Sequence, residues 1–316
     1  MGSLECLEEK YPIIDSEFRQ FCASHNILSV EDFLMQDLYA LNIVAEQRSN
    51  PEKLKLGITQ ILDVMNNQHQ PWLNGQELLE NALLNKQSLS VGCDRINALL
   101  QGGLRKGRLT ELVGPSSSGK TQICFQAASY AATHGIANVM FIDTGNSFSP
   151  KRIAQFVNKM SNHVIDQESL RRIMNKIVCH SVYDILSLLD ILHQLEINLK
   201  HQNDFQVMML IVDSLSSLIT PVLGADGAHG HALLVQVGFM LKKIAYEHNI
   251  AVLVTNHMVA SEGGSLKPAL GERWKSIPHV RLHLSRDSSN NTSWMSILGH
   301  PSVATGVAVE FEMMCS

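Results

Sequence analysis

Residues 114–121 read Gly-Pro-Ser-Ser-Ser-Gly-Lys-Thr and follow the short apolar run Leu109-Thr-Glu-Leu-Val113. They fit G-x-x-x-x-G-K-[ST] at every defined position. The next stretch, Gln122 to Ala132, carries a helical pattern. Strand, glycine-bounded loop and helix in that order confine the chain to α/β folds in which the loop leaves the carboxyl end of a buried strand. A triphosphate is a dense anion and needs donors at close range. Glycines let a loop aim its N–H groups inward, and the following helix adds its positive end. The pattern predicts a nucleotide cradle made of Gly114, Pro115, Ser116, Ser117, Ser118 and Gly119. Lys120 would reach the β- and γ-phosphates, and the Thr121 hydroxyl would bind Mg²⁺.

The 316 residues suffice for about two domains. With 45% apolar and 17% charged residues the chain reads as globular. Its longest apolar runs, such as 207–212, are too short to span a membrane, and its first residues lack the features of a signal peptide. Six scattered cysteines without C-x-x-C suit a reducing compartment, and the 14 histidines form no ligand pair on a predicted element. A net charge of −5 means that any nucleic-acid contact is local.

Residues 1–65 read as a small all-helical domain. Phe18, Phe21 and Cys22 share one face, and Leu54, Ile58, Ile61, Leu62 and Met65 share another. Ser29-Val-Glu-Asp32 has the form of a capping box, and Asn50-Pro51-Glu52 opens a helix. Residues 66–84 read as a linker. From 85 to 316 apolar strands alternate with helices, which predicts a mostly parallel sheet. Expected strands are 109–113, 139–143, 177–179, 208–213, 251–255 and 281–284, followed by an antiparallel pair near 293–298 and 307–312. Expected helices include 183–199 and 232–248.

Two of these strands end in polar groups. Val207 to Val212 runs into Asp213, placed to hold the Mg²⁺ shell at the phosphate-loop edge. Ala251 to Thr255 runs into Asn256 and His257. These two residues either approach the γ-phosphate or cap the strand end.

The phosphate loop, the Asp213 strand, Thr255-Asn256-His257 and Lys267-Pro-Ala-Leu-Gly271 fall in the order and spacing of the RecA-type recombinases. The helical N-terminal domain and Leu99-Leu-Gln-Gly-Gly-Leu104 resemble the eukaryotic branch. Ser265-Leu-Lys-Pro-Ala-Leu-Gly-Glu-Arg-Trp274 and Trp72-Leu-Asn-Gly75 resemble its D-type paralogues, which are DNA repair proteins. The resemblance covers nearly the whole chain and implies a RecA-like P-loop ATPase core using ATP and Mg²⁺. It gives Arg152 the place that stacks on adenine, where an ordinary solvated helix charge would also fit. It places two loops, about 220–231 and 258–271, beside a central DNA path.

The departures from the family are specific. Gly145 stands where the family has the glutamate that orients the attacking water, with Asp143 two positions earlier. His257 replaces the expected glutamine. The first DNA loop carries no Lys or Arg, and the second region offers Lys267, Arg273 and Lys275. The segment expected to cap a neighbour's ATP, near Gly299-His-Pro301, matches in place but not in residues. In the family an aromatic side chain of the linker enters a pocket on the next core, which makes Trp72 a candidate interface anchor.

The resemblance therefore implies a nuclear, ATP-binding accessory paralogue with at most weak DNA-dependent ATPase activity. It would bind single-stranded or branched DNA and support recombinase filaments within a hetero-oligomer of paralogues, without a membrane. The alternatives are a competent strand-exchange recombinase that forms its own filament, or a RecA-like motor or switch outside recombination.

Overall fold

The computed structural model describes residues 11–29, 32–33, 36–48, 50–68, 74–84, 88–161, 165–200, 206–225, 227–260, 264, 266–287 and 292–313. The chain divides into two compact units, Met1–Asn85 and Lys86–Ser316.

In the first unit lie helices α1 (Ser16–Ala23), α2 (Leu38–Glu46), α3 (Pro51–Gln68) and α4 (Gly75–Leu84). Asp15 caps α1 by accepting from Phe18 N. The capping box forms reciprocally: Asp32 N donates to Ser29 Oγ at 3.1 Å, and Ser29 N donates to Asp32 Oδ2 at 2.9 Å. Phe18, Phe21 and Cys22 of α1 meet Leu54, Ile58 and Ile61 of α3 in one apolar core, with Leu62 at its margin. A Cβ on Gly57 would lie 2.4 Å from the Phe18 ring, so the helices approach through that glycine. The side chain of Met65 lies outside the described residues. The linker expected over 66–84 is helical at both ends, through Gln68 and again from Gly75.

The second unit opens with β1 (Ser88–Leu89), α5 (Asp94–Leu99) and β2 (Leu104–Arg105). It continues with β3 (Leu109–Gly114), α6 (Lys120–Thr133), β4 (Asn138–Asp143), α7 (Pro150–Met160), α8 (Gln167–Met174) and β5 (Ile177–Ser181). Next come α9 (Ile185–Lys200), β6 (Val207–Asp213), α10 (Leu215–Ala225), α11 (Gly227–Glu247), β7 (Ala251–Ala260) and β8 (Leu266–Pro268). The unit closes with α12 (Gly271–Lys275), β9 (Val280–Asp287), β10 (Thr292–Gly299) and β11 (Ala308–Phe311). The large sheet has strand order β11-β10-β9-β3-β7-β6-β4-β5, with β8 paired to β7. Its centre is parallel, and the β9–β10–β11 end is antiparallel.

The apolar strands are covered on both faces because successive side chains alternate. Phe141, Ile211 and Leu253 join Phe125 and Phe156 in one core layer. Their strand neighbours Ile142, Val212 and Val254 join Leu192, Leu234 and Leu241 in the other.

The expected loop over 220–231 is largely helix, lying in α10 and α11. Leu218, Ile219, Leu234 and Val237 are buried in the core, and that burial outweighs the glycines and proline that read as loop. A Cβ on Gly230 would fall 2.6 Å from the Val222 carbonyl, so glycine there permits close approach.

Candidate nucleotide site

The topology brings the ends of β3, β4, β6 and β7 to one sheet edge. Gly114 is the register partner of His257, and Asp143 is the partner of Asp213. Gly114 cannot be replaced simply: a Cβ would lie 2.5 Å from Leu284 O and 2.6 Å from Ser118 Oγ. Ser117 and Gly119 adopt φ of 62° and 102°, the left-handed bends that turn a loop's N–H groups toward an anion.

Three features of the loop fit a phosphate group and its cation. The Ser118 hydroxyl is buried with no hydrogen-bond partner. Lys120, 5% exposed, turns its ammonium onto the carbonyls of Gly114 and Pro115, each at 2.8 Å. Burial lowers its pKa, and the nearby Asp213 charge opposes that shift. Finally, Thr121 Oγ1 donates to Asp213 Oδ2 at 2.6 Å, while Thr255 Oγ1 donates to Asp213 Oδ1. A hydroxyl and a carboxylate oxygen side by side form a hard donor pair suited to Mg²⁺. The next peptide, Asp213–Ser214, is cis.

Asp143 is committed elsewhere. Its carboxylate accepts from Gly145 N (3.2 Å), Ser147 N (3.1 Å), Ser147 Oγ (3.2 Å) and Phe148 N (2.9 Å), closing the turn after β4. At Gly145 a Cβ would meet nothing within 4 Å, and the residue is not in the left-handed region. The left-handed bend of this turn falls on the next residue, Asn146, with φ of 53°.

His257 Nε2 lies 2.9 Å from Ser214 Oγ, and its backbone N donates to Ser216 Oγ at 2.9 Å. Its Nδ1 is buried and has no hydrogen-bond partner. Burial, then the Lys120 charge, lowers the ring's pKa. Its carbonyl accepts from Ala269 N at 2.9 Å, which ties the end of β7 to the segment after β8. Arg152 lies in the first turn of α7, where its N donates to the capping Ser149 side chain. Its guanidinium donates to Gln122, one residue past Thr121, and lies 5.7 Å from the Phe156 ring centroid.

The expected DNA-path cations sit beyond the end of β7. Lys267 is exposed on β8, whose antiparallel pairing with β7 replaces the expected loop over part of 258–271. Arg273 and Lys275 are exposed on α12, and Lys275 lies 3.4 Å from Glu272. Trp72 lies outside the described residues. In the expected cap segment, His300 Nδ1 accepts from Ser302 N (3.1 Å) and Val303 N (3.0 Å), folding the turn around its ring.

The sequence reading missed Glu111, which is fully buried. It accepts from Asn256 Nδ2 (2.7 Å), Trp274 Nε1 (2.8 Å) and Arg281 Nε (2.6 Å), joining β3, β7, β9 and α12 behind the nucleotide edge. A carboxylate in the middle of an apolar strand was the available signal, since such a group is rarely buried without partners. Among the described residues no cluster of His, Cys, Asp and Glu could hold a metal by itself. No helix among them is long and apolar enough to cross a membrane.

A family model described as Rad51 matches residues 85–290. The chain is similar to the DNA repair protein RAD51 homolog 4 of Bos taurus, 34% identical over 242 residues covering 74% of this chain and 73% of the relative. The protein of the same name from Mus musculus is 33% identical over 216 residues, 67% of this chain and 65% of the relative. The meiotic recombination protein DMC1/LIM15 homolog of Homo sapiens is 26% identical over 204 residues, 62% of this chain and 58% of the relative.

Proposed function

We propose that this chain, which belongs to the Rad51 family, is an ATP-binding accessory subunit of homologous-recombination repair that holds its nucleotide rather than turning it over rapidly. One observation carries the reading. The phosphate loop has its lysine and its Thr121–Asp213 pair, while position 145 offers no side chain and the Asp143 carboxylate is occupied by backbone donors.

Bound Mg²⁺ would supply charge neutralisation across the phosphates. Thr121 and Asp213 would hold that ion. Lys120 would exchange two carbonyls for phosphate oxygens, and the Ser118 hydroxyl would gain a partner. Arg152, backed by Phe156, offers a flat cation for the adenine ring. His257, neutral at ordinary pH because burial disfavours its charged form, replaces the amide expected beside the γ-phosphate. Through Ala269 it connects that position to the β8 segment carrying Lys267. Among the described residues no carboxylate beyond Asp213 and the committed Asp143 stands at this edge to orient water, a contribution of roughly 10²–10⁴ in rate where a positioned base exists.

In this reading the nucleotide shapes an interface. Trp72 docks a neighbouring paralogue, as buried aromatics commonly do at interface centres. Lys267, Arg273 and Lys275 make a modest contact with single-stranded or branched DNA, and the protein resides in the nucleus. Equilibrium ATP binding, turnover on single-stranded DNA and affinity capture from cells test it together. The expected result is ATP retained with slow turnover and other recombinase paralogues captured, with capture lost in Trp72→Ala. Rapid DNA-stimulated turnover by the isolated chain would refute it.

A further inference from the structure

The carboxyl ends of β3 and β7 carry the nucleotide site, and their amino ends build a different surface. Val252 N donates to Arg108 O and Gly107 N to Ile250 O, each at 3.0 Å. These bonds fasten the turn before β3 to the chain leaving α11. A six-residue strand separates this edge from the phosphate loop by about 20 Å.

On α11, Phe239, Lys242 and Tyr246 recur at i, i+3 and i+7 and so share one stripe. Phe239 and Tyr246 are each 62% exposed. Lys242, half-buried, lies between the two rings on this stripe. Arg108 stands on the turn that Ile250 and Val252 bond to the chain leaving α11. Among the described residues neither Lys242 nor Arg108 has a salt-bridge partner. The carboxylates at this end of α11, Glu196 and Glu247, act on Lys200, Lys243 and His248 along its other flank.

Two cations without salt-bridge partners and two exposed rings are thus carried on α11 and on the turn joined to the chain leaving it. Rings interleaved with cations suit one chemistry: unpaired bases stack on the rings while phosphates meet the cations. An acidic peptide would engage the cations and leave the rings uncovered. A duplex would hide its base faces from them.

We infer that Phe239, Lys242 and Tyr246, together with Arg108, form a contact surface for single-stranded DNA at the sheet edge away from the nucleotide. This deepens the reading above and adds a second single-strand contact to that of Lys267, Arg273 and Lys275. The test is fluorescence anisotropy of the full chain with a labelled oligothymidylate and a duplex of equal length. Phe239→Ala with Tyr246→Ala should weaken single-strand binding about tenfold or more and leave duplex binding unchanged. Arg108→Gln with Lys242→Gln should lower the log–log salt slope by about 1.4. These side chains are exposed or half-buried, so melting temperatures should stay near wild type, which separates lost contact from lost fold. If the ring variant binds single strands as wild type does while Lys267→Ala with Arg273→Ala abolishes binding, the inference is overturned and the accessory-subunit reading stands. If wild type loads ATP but binds no oligonucleotide, this inference and the DNA part of that reading both fall. Loss of a captured protein with DNA binding intact would make the stripe a protein interface and overturn it as well.

Discussion

Thr121 Oγ1 donates to Asp213 Oδ2 at 2.6 Å across 92 residues of sequence, bringing the last residue of the phosphate loop onto the acid at the end of β6. Thr255 binds the other carboxylate oxygen, so β7 helps to aim the same group. Three segments thus converge on the position where a divalent ion and the terminal phosphates would lie.

Lys120→Ala should cut ATP affinity by roughly 30-fold to several thousand-fold, since truncating one partner of a buried charge contact costs about 2–5 kcal/mol. It should not lower the melting temperature without nucleotide. Burial already disfavours that ammonium, and its partners are loop carbonyls. Calorimetric ATP titration and a thermal scan check both halves. Equal affinity in the two proteins would remove the loop from nucleotide binding.

Glu111→Ala should destabilise the second unit by about 3–5 kcal/mol, because it leaves Arg281 buried without its carboxylate and strands the donors of Asn256 and Trp274. Glu111→Met with Arg281→Met should recover only the part of that loss due to the unpaired Arg281 charge, since the Asn256 and Trp274 donors stay unpartnered. Urea unfolding measures both variants. A single variant as stable as wild type would show that the hub contributes no net stability.

Much of the core was legible because its strands are buried on both faces and therefore read as continuous apolar runs. The runs ending at Val113, Asp143, Asp213 and Thr255 all become adjacent parallel strands. The segment 220–231 was not legible. Pro221 and the surrounding glycines read locally as loop, whereas burial of Leu218, Ile219 and Leu234 decides for helix. The meeting of Thr121 and Asp213 at one sheet edge could be anticipated, because each closely follows an apolar strand run that is visible locally. The Glu111 hub could not, because its donors come from residues 256, 274 and 281, and only tertiary packing joins them. The role of Asp143 was similarly hidden, since four hydrogen bonds from the turn that follows it decide its use.

The protein should lose stability as pH falls from about 6.5 toward 4. Burial, followed by the Lys242 and Arg108 charges, pushes the His279 pKa down to about 4, and its Nδ1 is held as an acceptor by Leu109 N. Below pH 6.5 the unfolded ring takes up a proton that the native ring refuses, so the unfolded state is favoured progressively down to the native pKa. The full difference is about 3 kcal/mol for this residue. His279→Asn keeps an acceptor for Leu109 N and removes the titration. The unfolding free energies at pH 7 and pH 4.5 should therefore differ less in the variant, by about 2 kcal/mol. The same pH difference in both proteins would show that His279 titrates normally.

Gly145→Glu should fold and hydrolyse ATP faster than wild type. A Cβ there meets nothing within 4 Å and the backbone is not left-handed, so the substitution adds a carboxylate without a clash or strained φ at the Cβ. The turn carrying it is fixed by Asp143 and by Thr144 Oγ1, which donates to Ser214 O at 2.8 Å beside the end of β6. A base so placed should raise single-turnover hydrolysis by at least about tenfold, toward the 10²–10⁴ typical of positioned bases. His257 limits the gain, because a neutral ring stands in place of the amide expected beside the γ-phosphate. Adding His257→Gln should raise the rate again, and the two effects should exceed their separate sum if the groups act on one water. A Gly145→Glu variant that binds ATP normally, melts as wild type does and hydrolyses no faster would show that the missing carboxylate is not what slows this site.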